Sequence, residues 1–371
     1  MPKITLTNVT KQWGKFIGVN NLNLEIEDGA FVTLLGSSGC GKTTTLRMIA
    51  GLETPTEGEI RFDDRIVFSS KKNINIPPAR REVGFLFQNY ALWPHMTVTQ
   101  NIAFGLETLK WRKDDIKARV AEMLRIMRIE QFAQRYPAEL SGGQQQRVAI
   151  ARTLAPKPRV LFMDEPLSNL DAKLRGEMRT ELKRLHKDTA STFVYVTHDQ
   201  LEAMTLSSKI CMMNEGVLQQ YAPPLEVYNH PANLFVADFV GNPSMNIVEA
   251  VAKKGAPAAA EIDFLGRKAL FEAGADFDLD SENVSVGIRP EFLPISPAGD
   301  IEGLAYSTLP AGMETTVKIK VGDTILSSVV FGAIDYETDE PIRFSVSGSG
   351  ILLFDRSSGQ NIAVGRLTIL K

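Results

Sequence analysis

The sequence lacks any apolar run long enough for a membrane-spanning helix. Its apolar runs are short, such as FVTLL (31–35) and VLFM (160–163), whereas a helix that spans a bilayer needs about 18 to 20 apolar residues. The N-terminal segment MPKITLTNVT also lacks the basic and then apolar layout of a secretory signal. We therefore expect the chain to stay in the cytoplasm.

Cysteine is scarce, and an excess of positive charge is missing. The chain has two cysteines, Cys40 and Cys211, which are too few for a disulfide framework and do not have metal-ligand spacing. We expect no structural metal. The formal net charge is -3, whereas a general nucleic-acid binder usually carries a basic excess. We therefore expect no nucleic-acid partner.

What the sequence does contain is two kinds of pattern that meet near residue 235, and 371 residues are enough for two domains. In residues 1–235, short apolar runs alternate with helical patterns, which indicates a mostly parallel sheet covered by helices. Residues 89–156 show no strand pattern and are predicted to form a helical subdomain. In residues 236–371, short β-type runs such as NVSVGI and TTVKIKV recur between turn residues, which is typical of a small antiparallel barrel or sandwich. We expect KKGAPAAAE (253–261) to be a loop.

The strongest motif is GSSGCGKT (36–43), which matches G-x-x-x-x-G-K-[ST] between an apolar strand and a helix. Its glycines let backbone amides approach phosphates, Lys42 can reach the β and γ oxygens, and the Thr43 hydroxyl can bind Mg²⁺. The alternative is a glycine-rich turn without a ligand. The residues assigned to ATP at this cradle are Gly36, Ser37, Ser38, Gly39, Cys40, Gly41, Lys42, Thr43 and Thr44.

Carboxylates follow a second buried strand in PRVLFMDEP. In open α/β sheets the carboxyl ends of the strands face the ligand crevice. Asp164 is therefore predicted to hold Mg²⁺, and Glu165 to polarise the attacking water as a general base. The alternative is that the two carboxylates only cap the following helix.

Two further polar residues end apolar runs. Gln88 follows VGFLF and His198 follows TFVYVT. Gln88 is predicted to touch Mg²⁺ or the attacking water, and His198 to hydrogen-bond a γ-phosphate. A lone histidine at a strand end is also compatible with a purely structural role.

A second phosphate cradle is indicated by LSGGQQQR (140–147), where a Ser-Gly-Gly turn precedes a helical pattern. The unpaired amides and the dipole of a helix N-terminus favour an anion there. The chain thus contains two cradles about a hundred residues apart, and neither composition nor spacing explains why.

These motifs together resemble the ATPase subunits of ABC transporters. GSSGCGKT, Gln88, LSGGQ, VLFMDE, SNLD (168–171) and His198 are similar to that family's Walker A, Q-loop, signature, Walker B, D-loop and switch histidine, in the family's order. The resemblance implies an ATPase that uses ATP and Mg²⁺, with Thr43, Gln88 and Asp164 at the metal, and Glu165 and His198 in catalysis. It also implies that Trp13 stacks on adenine; the alternative is that Trp13 covers the sheet edge.

The resemblance implies an answer to the question of the two cradles. In this family two cassettes pack head to tail, so the signature of one chain covers the ATP bound by the other. The residues implied to contact ATP in trans are Ser141, Gly142, Gly143, Gln144 and Asp171.

The C-terminal region narrows the resemblance. FVGNPSMN (239–246) and GIRPE (287–291) resemble segments of maltose-type sugar importers. The implied fold is an α/β P-loop NTPase with an inserted helical subdomain and a C-terminal all-β, OB-like barrel that supports dimerisation. The implied function is to power import of a sugar or related polyol. The homodimer would lie on the cytoplasmic face of the cell membrane, as a peripheral subunit beneath two integral membrane permease subunits served by a periplasmic or extracellular solute-binding protein.

Two other functions compete with import. A soluble ABC-type ATPase acting on nucleic acid or ribosomes usually has tandem cassettes or a long coiled coil, and this sequence has one cassette and no sustained heptads. A P-loop kinase for a small molecule would leave LSGGQ unexplained. Within the import hypothesis, QNYALWPHMTV (88–98) is predicted to meet the membrane subunits; for Trp93, a place in the core is the alternative.

Overall fold

Two compact units make up the chain in the computed structural model, which describes residues 2–189 and 191–370. The first unit spans Met1–Pro224 and the second Leu225–Lys371. The sequence predicted a change of domain near residue 235, so the two divisions differ over residues 225–235. Within the described residues, no helix combines the length and the apolarity needed to cross a membrane.

The first unit contains eleven strands and six α-helices among its described residues. The strands are β1 (Ile4–Trp13), β2 (Phe16–Ile26), β3 (Phe31–Leu35), β4 (Glu57–Phe62), β5 (Arg65–Ser69), β6 (Ile74–Asn75), β7 (Val83–Leu86), β8 (Val160–Asp164), β9 (Thr192–Thr197), β10 (Lys209–Asn214) and β11 (Val217–Ala222). The helices are α1 (Lys42–Ala50), α2 (Val98–Thr108), α3 (Lys113–Ile126), α4 (Gly142–Leu154), α5 (Ala172–Thr189) and α6 (Gln200–Leu206).

A mostly parallel sheet lies at the centre of this unit, with the strand order β11-β10-β3-β9-β8-β7. All its pairs are parallel except β10 with β11. Both faces are covered, because successive residues such as Phe193 and Val194 pack into two different apolar clusters. The α/β prediction is confirmed. Since β3, β9 and β8 are neighbours and parallel, the loops after them meet at one edge of the sheet.

A second, antiparallel sheet with the order β2-β1-β4-β5-β6 was missed in the sequence. In β1 and β2 the buried side chains lie mostly on one face. Leu6, Val9, Leu22 and Leu24 are buried, whereas the residues between them are mostly polar and exposed. The asparagines and threonines in NVTKQW and NNLNLEI hid this alternation.

The predicted helical subdomain contains α2, α3 and α4 and no strand, as expected. Its interior is formed by apolar residues from all three helices, including Ile102, Leu106, Val120, Met123 and Ile150. Residues Leu86 and Leu161 of the parallel sheet belong to the same cluster. The subdomain therefore shares its apolar core with one face of the parallel sheet.

A buried arginine ends the helix that follows the first phosphate motif. The Arg81 guanidinium donates to the carbonyls of Met48 and Ile49 at 2.9 and 2.8 Å, which lie in the last turn of α1, where carbonyls have no partner within the helix. The Met48 carbonyl also accepts from the Gly51 N–H at 3.2 Å. Burial lowers the pKa of Arg81 to about 10. Because a positive charge is favourable at a helix C-terminus, Arg81 fixes the end of α1 opposite to the phosphate motif.

The second unit is largely β-structure and confirms the predicted C-terminal barrel. Its α-helices and strands are α7 (Pro224–Asn229), α8 (Leu234–Phe239), β12 (Asn246–Ala256), β13 (Ala259–Phe264), β14 (Arg267–Ala273), β15 (Asn283–Ile288), β16 (Ile301–Pro310), β17 (Glu314–Val321), β18 (Thr324–Phe331), β19 (Pro341–Phe344), β20 (Ile351–Asp355) and β21 (Asn361–Ile369). Strands β12, β13, β14, β21, β20 and β15 close into a barrel in that order, and a separate sheet has the order β18-β17-β16-β19.

The expectation of a loop at residues 253–261 was wrong. The segment forms the end of β12, a tight turn and the start of β13, with Lys253 opposite Glu261 and Lys254 opposite Ala260. The inward positions carry small side chains, and Ala252 and Ala260 are fully buried. Alanine gives little apolar contrast in a sequence pattern, which is why the hairpin resembled a loop.

The GIRPE segment has a structural role within the second unit. The buried Arg289 guanidinium lies 4.0 Å from the centre of the Tyr228 ring and donates to the Tyr228 carbonyl at 2.6 Å. Tyr228 in turn donates its hydroxyl to Glu291 at 2.9 Å. The segment therefore fixes α7 against the barrel.

Candidate functional site

The loop between β3 and α1 is shaped by glycine. Gly41 precedes α1 with a φ of 98°, and a Cβ there would come within 2.4 Å of the Gly18 carbonyl oxygen. A Cβ at Gly36 would come within 2.2 Å of the Met213 carbonyl oxygen. Side chains at either position would therefore force the loop away from its neighbours. Ser37, Ser38 and Gly39 remain exposed at the tip, while Cys40 is buried.

Lys42 lies inside this loop. Its ammonium group donates to the carbonyls of Gly36 and Ser37 at 2.8 and 2.7 Å and lies 3.6 Å from the Cys40 sulfur. The side chain is buried. The loop thus wraps around a positive charge at the N-terminus of α1, where the helix dipole adds to the positive potential.

Two oxygen groups meet directly beside the loop. The Thr43 hydroxyl donates to Asp164 Oδ1 at 2.8 Å, and Arg47 Nη2 lies 3.4 Å from Oδ2 of the same carboxylate. Asp164 is buried at the end of β8. A hydroxyl and a carboxylate are ligands of the kind that Mg²⁺ prefers.

The donor set fits a magnesium ion shared with phosphate. No group of three or more His, Cys, Asp or Glu side chains able to hold a metal occurs in the described part of the chain. Magnesium commonly uses one or two protein oxygens and completes its shell with water and substrate phosphates. Thr43 and Asp164 therefore fit this kind of site better than a closed protein cage.

Glu165 is the residue on which the other predicted side chains converge. Gln88 Nε2 donates to its Oε2 at 3.4 Å, and His198 Nδ1 lies 3.3 Å from its Oε1. Glu165 has a positive φ of 45°, and its N–H continues the strand ladder by donating to the Val196 carbonyl at 3.1 Å. The three side chains come from the ends of β7, β8 and β9, as parallel pairing requires.

Three polar residues at this edge were given no site role from the sequence, although two of them, Ser168 and Asn169, lie in SNLD (168–171). Ser168 is 3.4 Å from Gln88 Nε2 and bonds the Glu165 carbonyl, Asn169 donates to the Gln88 carbonyl at 3.3 Å, and Arg47 pairs with Asp164. Arg47 lies one helical turn after Thr43, so the helical spacing in KTTTLR could have indicated it.

Trp13 lies beside the phosphate loop, because Gly18 is in contact with both the Trp13 ring and Gly41 of the loop. It ends β1 and is 42% exposed, with its ring stacked on Phe16 at 6.2 Å between centroids and with Lys11 Nζ 5.1 Å from the ring centre. A Cβ at Gly18 would come within 2.5 Å of the Trp13 ring. Because Gly18 also touches Gly41, the exposed indole lies close to the N-terminus of α1.

The second cradle lies at the N-terminus of α4, and its hydrogen bond from Ser141 stays within the same segment. The Ser141 N–H donates to Gln144 Oε1 at 2.9 Å. A Cβ at Gly142 would meet no atom within 4 Å, whereas one at Gly143 would collide with the Leu174 side chain. In the ranges 2–189 and 191–370, no hydrogen bond joins residues 141–144 to the phosphate loop, Asp164 or Glu165.

Asp171 has a local task at the start of α5. Its Oδ1 accepts from the Leu174 N–H at 3.0 Å, which satisfies one of the free amides of the helix N-terminus. Since Leu174 also covers Gly143, the start of α5 supports the turn that begins α4.

The segment 88–98 presents an exposed aromatic surface. Trp93 is 41% exposed and packs on Phe104 and His95 with centroid distances of 5.4 and 6.2 Å. The core alternative for Trp93 is therefore wrong for this unit, while Tyr90 of the same segment is buried. The backbone here is fixed by Asn101, whose side chain bonds both the N–H and the carbonyl of Trp93 at 2.9 and 3.1 Å.

Comparison with known proteins identifies the family. Residues 19–168 match the family model described as ABC transporter. The trehalose/maltose import ATP-binding protein MalK of Thermococcus litoralis is 48% identical over 79% of this chain and 79% of its own length. This chain belongs to the ABC transporter ATP-binding proteins.

Other members of the ABC family extend the similarity. The sn-glycerol-3-phosphate import ATP-binding protein UgpC of Brucella abortus is 41% identical over 95% of this chain and 97% of its own length. A solved dimeric ATP-binding cassette in a post-hydrolysis state, bound to ADP and Pi, is 34% identical, with a TM-score of 0.52, and covers 60% of this chain and 98% of its own. This chain is accordingly an ATPase of the ABC family.

Proposed function

We propose that this ATPase powers the import of a sugar or a related polyol. The relatives named for import of trehalose and maltose or of sn-glycerol-3-phosphate align with 79% and 95% of the chain, respectively. The proposed assembly is a homodimer on the cytoplasmic face of the membrane, with two permease subunits and an external solute-binding protein. The solute class rests on the relatives, because no part of this ATPase is expected to touch the solute.

The observation that carries the hydrolytic role is the convergence of Gln88 and His198 on Glu165, beside the Thr43–Asp164 pair. Glu165 is proposed to take a proton from the attacking water. His198 is proposed to orient against the γ-phosphate, which would leave Glu165 free to face the water. Lys42 and the amides of residues 36–44 are proposed to hold the β- and γ-phosphates.

Thr43 and Asp164 are proposed to hold Mg²⁺, with Gln88 as the third candidate ligand. When bound, the ion would neutralise charge that builds up on the phosphate oxygens. The 2.8 Å contact between Thr43 and Asp164 supports a shared ligand position for these two. Gln88 lies on the Glu165 side of the site, so its amide can also orient the water.

The adenine is proposed to stack on Trp13. The indole is exposed and lies beside the N-terminus of α1 through Gly18, so one nucleotide can reach both. Stacking of a base on an aromatic side chain contributes about 1 to 3 kcal/mol in other proteins.

The second cradle is proposed to act on the nucleotide of the partner chain. Ser141 and Gly142 are exposed at the N-terminus of α4, and the residues that would do chemistry on a phosphate lie in another hydrogen-bonded group. A second copy can bring Ser141, Gly142, Gly143, Gln144 and Asp171 to the ATP bound on Lys42. The solved cassette of similar fold is dimeric, which supports the pairing of two copies.

Solute uptake tests the proposal in cells. A strain without this chain should fail to take up one of maltose, trehalose and sn-glycerol-3-phosphate, and the parental chain should restore uptake while Glu165→Gln should not. Normal uptake of all three in the deletion strain, together with co-purification of the chain with RNA instead of integral membrane proteins, would favour the nucleic-acid alternative.

A further inference from the structure

A buried carboxyl group lies behind the turn that carries His198. The hydroxyls of Tyr195 and Thr197 both donate to Glu202 Oε2, at 2.7 and 2.6 Å. Tyr195 and Thr197 belong to β9, Glu202 belongs to α6, and all three side chains are buried. A glutamate is rarely buried unless it has partners, so this arrangement needs an explanation that the phosphate chemistry does not give.

The same groups close the turn on both sides of His198. The Thr197 hydroxyl also accepts from the Asp199 N–H at 3.0 Å, and Asp199 Oδ1 accepts from the Glu202 N–H at 3.1 Å. His198 itself is exposed, and among the described residues its ring is hydrogen-bonded to Glu165 alone. The imidazole is therefore positioned by the backbone of the turn and by its contact with Glu165.

An ion pair connects this turn to the segment before α5. Asp199 Oδ2 lies 3.4 Å from Arg175 Nη1, and Arg175 Nη2 donates to the Leu170 carbonyl at 3.1 Å. Leu170 precedes Asp171 directly. The turn with His198 and the segment proposed to serve the partner's ATP are thus fastened to the same arginine.

Burial is the largest influence on the pKa of the Glu202 carboxyl group. Burial raises the pKa of the carboxyl group and Asp199 raises it further, while the hydrogen bonds from Thr197 and Tyr195 and the charge of Arg175 act against this. A neutral carboxyl group and an amide have the same shape and both offer an oxygen acceptor. Glutamine is therefore the conservative replacement, and methionine removes the acceptor at a similar volume.

We propose that Glu202 is a positioning residue for ATP hydrolysis: it holds the turn that carries His198 beside Glu165, and the Asp199–Arg175 pair fastens this turn to the segment ending at Asp171. The proposal rests on the function proposed for His198. A displacement of about 1 Å can lower a rate by about 100-fold, so small movements of this turn matter.

Three variants of the full chain separate positioning from stability. Glu202→Met and Thr197→Val should lower the kcat for ATP by about 10- to 100-fold and leave the Kd for ATP within about twofold of the parental value, since neither side chain faces the phosphate loop. Glu202→Gln should retain most of the activity. Tyr195→Phe removes a buried hydrogen bond to the same oxygen but leaves the turn closed, so it should lower Tm with little loss of kcat.

Histidine resonances give a readout independent of turnover, because the chain has only four histidines. In ¹H–¹³C spectra, the ring signal of His198 should shift in Glu202→Met and in Thr197→Val and stay in place in Glu202→Gln. The signals of His95 and His230 should not move in any variant. Parental kcat together with an unmoved His198 signal in Glu202→Met and Thr197→Val would overturn the proposal, as would an equal loss of kcat in Tyr195→Phe.

A matched pair of arginine variants on α5 tests the ion pair between Asp199 and Arg175. Arg175→Gln should shift the His198 signal and lower kcat by up to about fivefold, as expected for a partly exposed ion pair. Arg184→Gln, which removes an exposed pair with Asp188 on the same helix, should do neither. If His198→Ala has parental turnover, the role proposed for His198 is wrong, and the positioning of its ring is still decided by the spectra.

Discussion

The two helix N-termini that carry phosphate motifs differ in what surrounds them. At α1, Lys42 and Thr43 are bonded into the loop and to Asp164, and Glu165, next in sequence to Asp164, carries the contacts of Gln88 and His198. At α4, the Ser141 N–H donates to the Gln144 side chain of the same helix, and a Cβ at Gly142 would meet no atom within 4 Å. The first cradle has the groups needed for chemistry, whereas the second offers amides and a dipole. Two cradles in one chain therefore indicate two different tasks.

The difference follows from the positions of the helices in the fold. α1 follows β3, which pairs with β9, and β9 pairs with β8, so the residues after these three strands share one edge. α4 belongs to the helical subdomain, whose interior it shares with α2 and α3. Its N-terminus is supported by Leu174 of α5. The sheet order thus supplies acids and bases to one cradle only.

The largest effect on ATP turnover is expected when the proposed base at the first cradle, Glu165, is removed. Glu165→Gln should lower ATP turnover by about 10²- to 10⁴-fold because the amide cannot accept the proton of the attacking water. ATP binding should persist, since Glu165 is not among the phosphate-binding groups. Steady-state hydrolysis and titration calorimetry measure the two quantities. Glu177→Gln, an exposed change on α5, is the control, and parental turnover in Glu165→Gln would exclude Glu165 as the base.

Removal of the charge inside the first cradle comes next. Lys42→Ala should weaken ATP binding by roughly 10- to 150-fold, which corresponds to the loss of a charged hydrogen bond of about 1.5 to 3 kcal/mol. The loop also loses the group that bonds the Gly36 and Ser37 carbonyls. Calorimetry with Lys173→Ala as the control decides this, and an unchanged Kd would exclude Lys42 from the site.

Loss of the proposed adenine contact should raise the Kd for ATP by a similar or smaller factor than Lys42→Ala. Trp13→Ala should raise the Kd for ATP by about 5- to 150-fold, from a stacking contribution of about 1 to 3 kcal/mol. Trp13→Tyr should keep most of the affinity because it keeps an aromatic face. An equal Kd for tripolyphosphate in both variants would confirm that the loss belongs to the base. If Trp13→Ala binds ATP as the parent does, the indole only covers the sheet edge.

The smallest effect on the isolated chain is expected at the exposed aromatic surface. Trp93→Ala should reduce transport and permease-stimulated hydrolysis while ATP affinity and Tm stay close to parental, because the ring packs mainly on Phe104 and His95 at the surface. Leu109→Ala removes another exposed apolar side chain of the same subdomain and is the control. A large loss of Tm would mean that Trp93 stabilises the fold, and the permease contact would then lie elsewhere.

In the first unit, the positions of the predicted site residues could be derived from the sequence, whereas the contacts that support them could not. Lys42, Asp164, Glu165, Gln88 and His198 could be placed because motifs fix their position relative to strand ends. Arg81, Arg175 and Glu202 could not, because their partners are backbone carbonyls or residues on other elements that no spacing reveals. The antiparallel sheet was missed for another reason: threonine and asparagine occupy its outward positions, so the alternation in TNVTKQW looks polar throughout.

For the second unit, the sequence indicated the secondary structure but no functional residues. Its strands could be recognised as a class, yet the sequence offered no chemistry, and GIRPE turned out to hold α7 through Arg289 and Tyr228. The hairpin at residues 253–261 was misjudged because Ala252 and Ala260 are small. The domain limits at residues 235 and 236 and the dimerising role of this unit stay predictions.

The most direct measurement of the central claim is the size of the chain with ATP when the second cradle is blocked. In a Glu165→Gln background, Ser141→Arg places a bulky charged side chain at the start of α4, with Ala121→Arg on α3 as the control for added charge. Sedimentation should show an ATP-dependent dimer for Glu165→Gln and for the control, and only monomer for Ser141→Arg, while calorimetry shows the same ATP affinity for all three monomers. A Ser141→Arg chain that loses ATP affinity as a monomer, or that dimerises as the control does, would contradict the assignment of the second cradle to the partner's nucleotide.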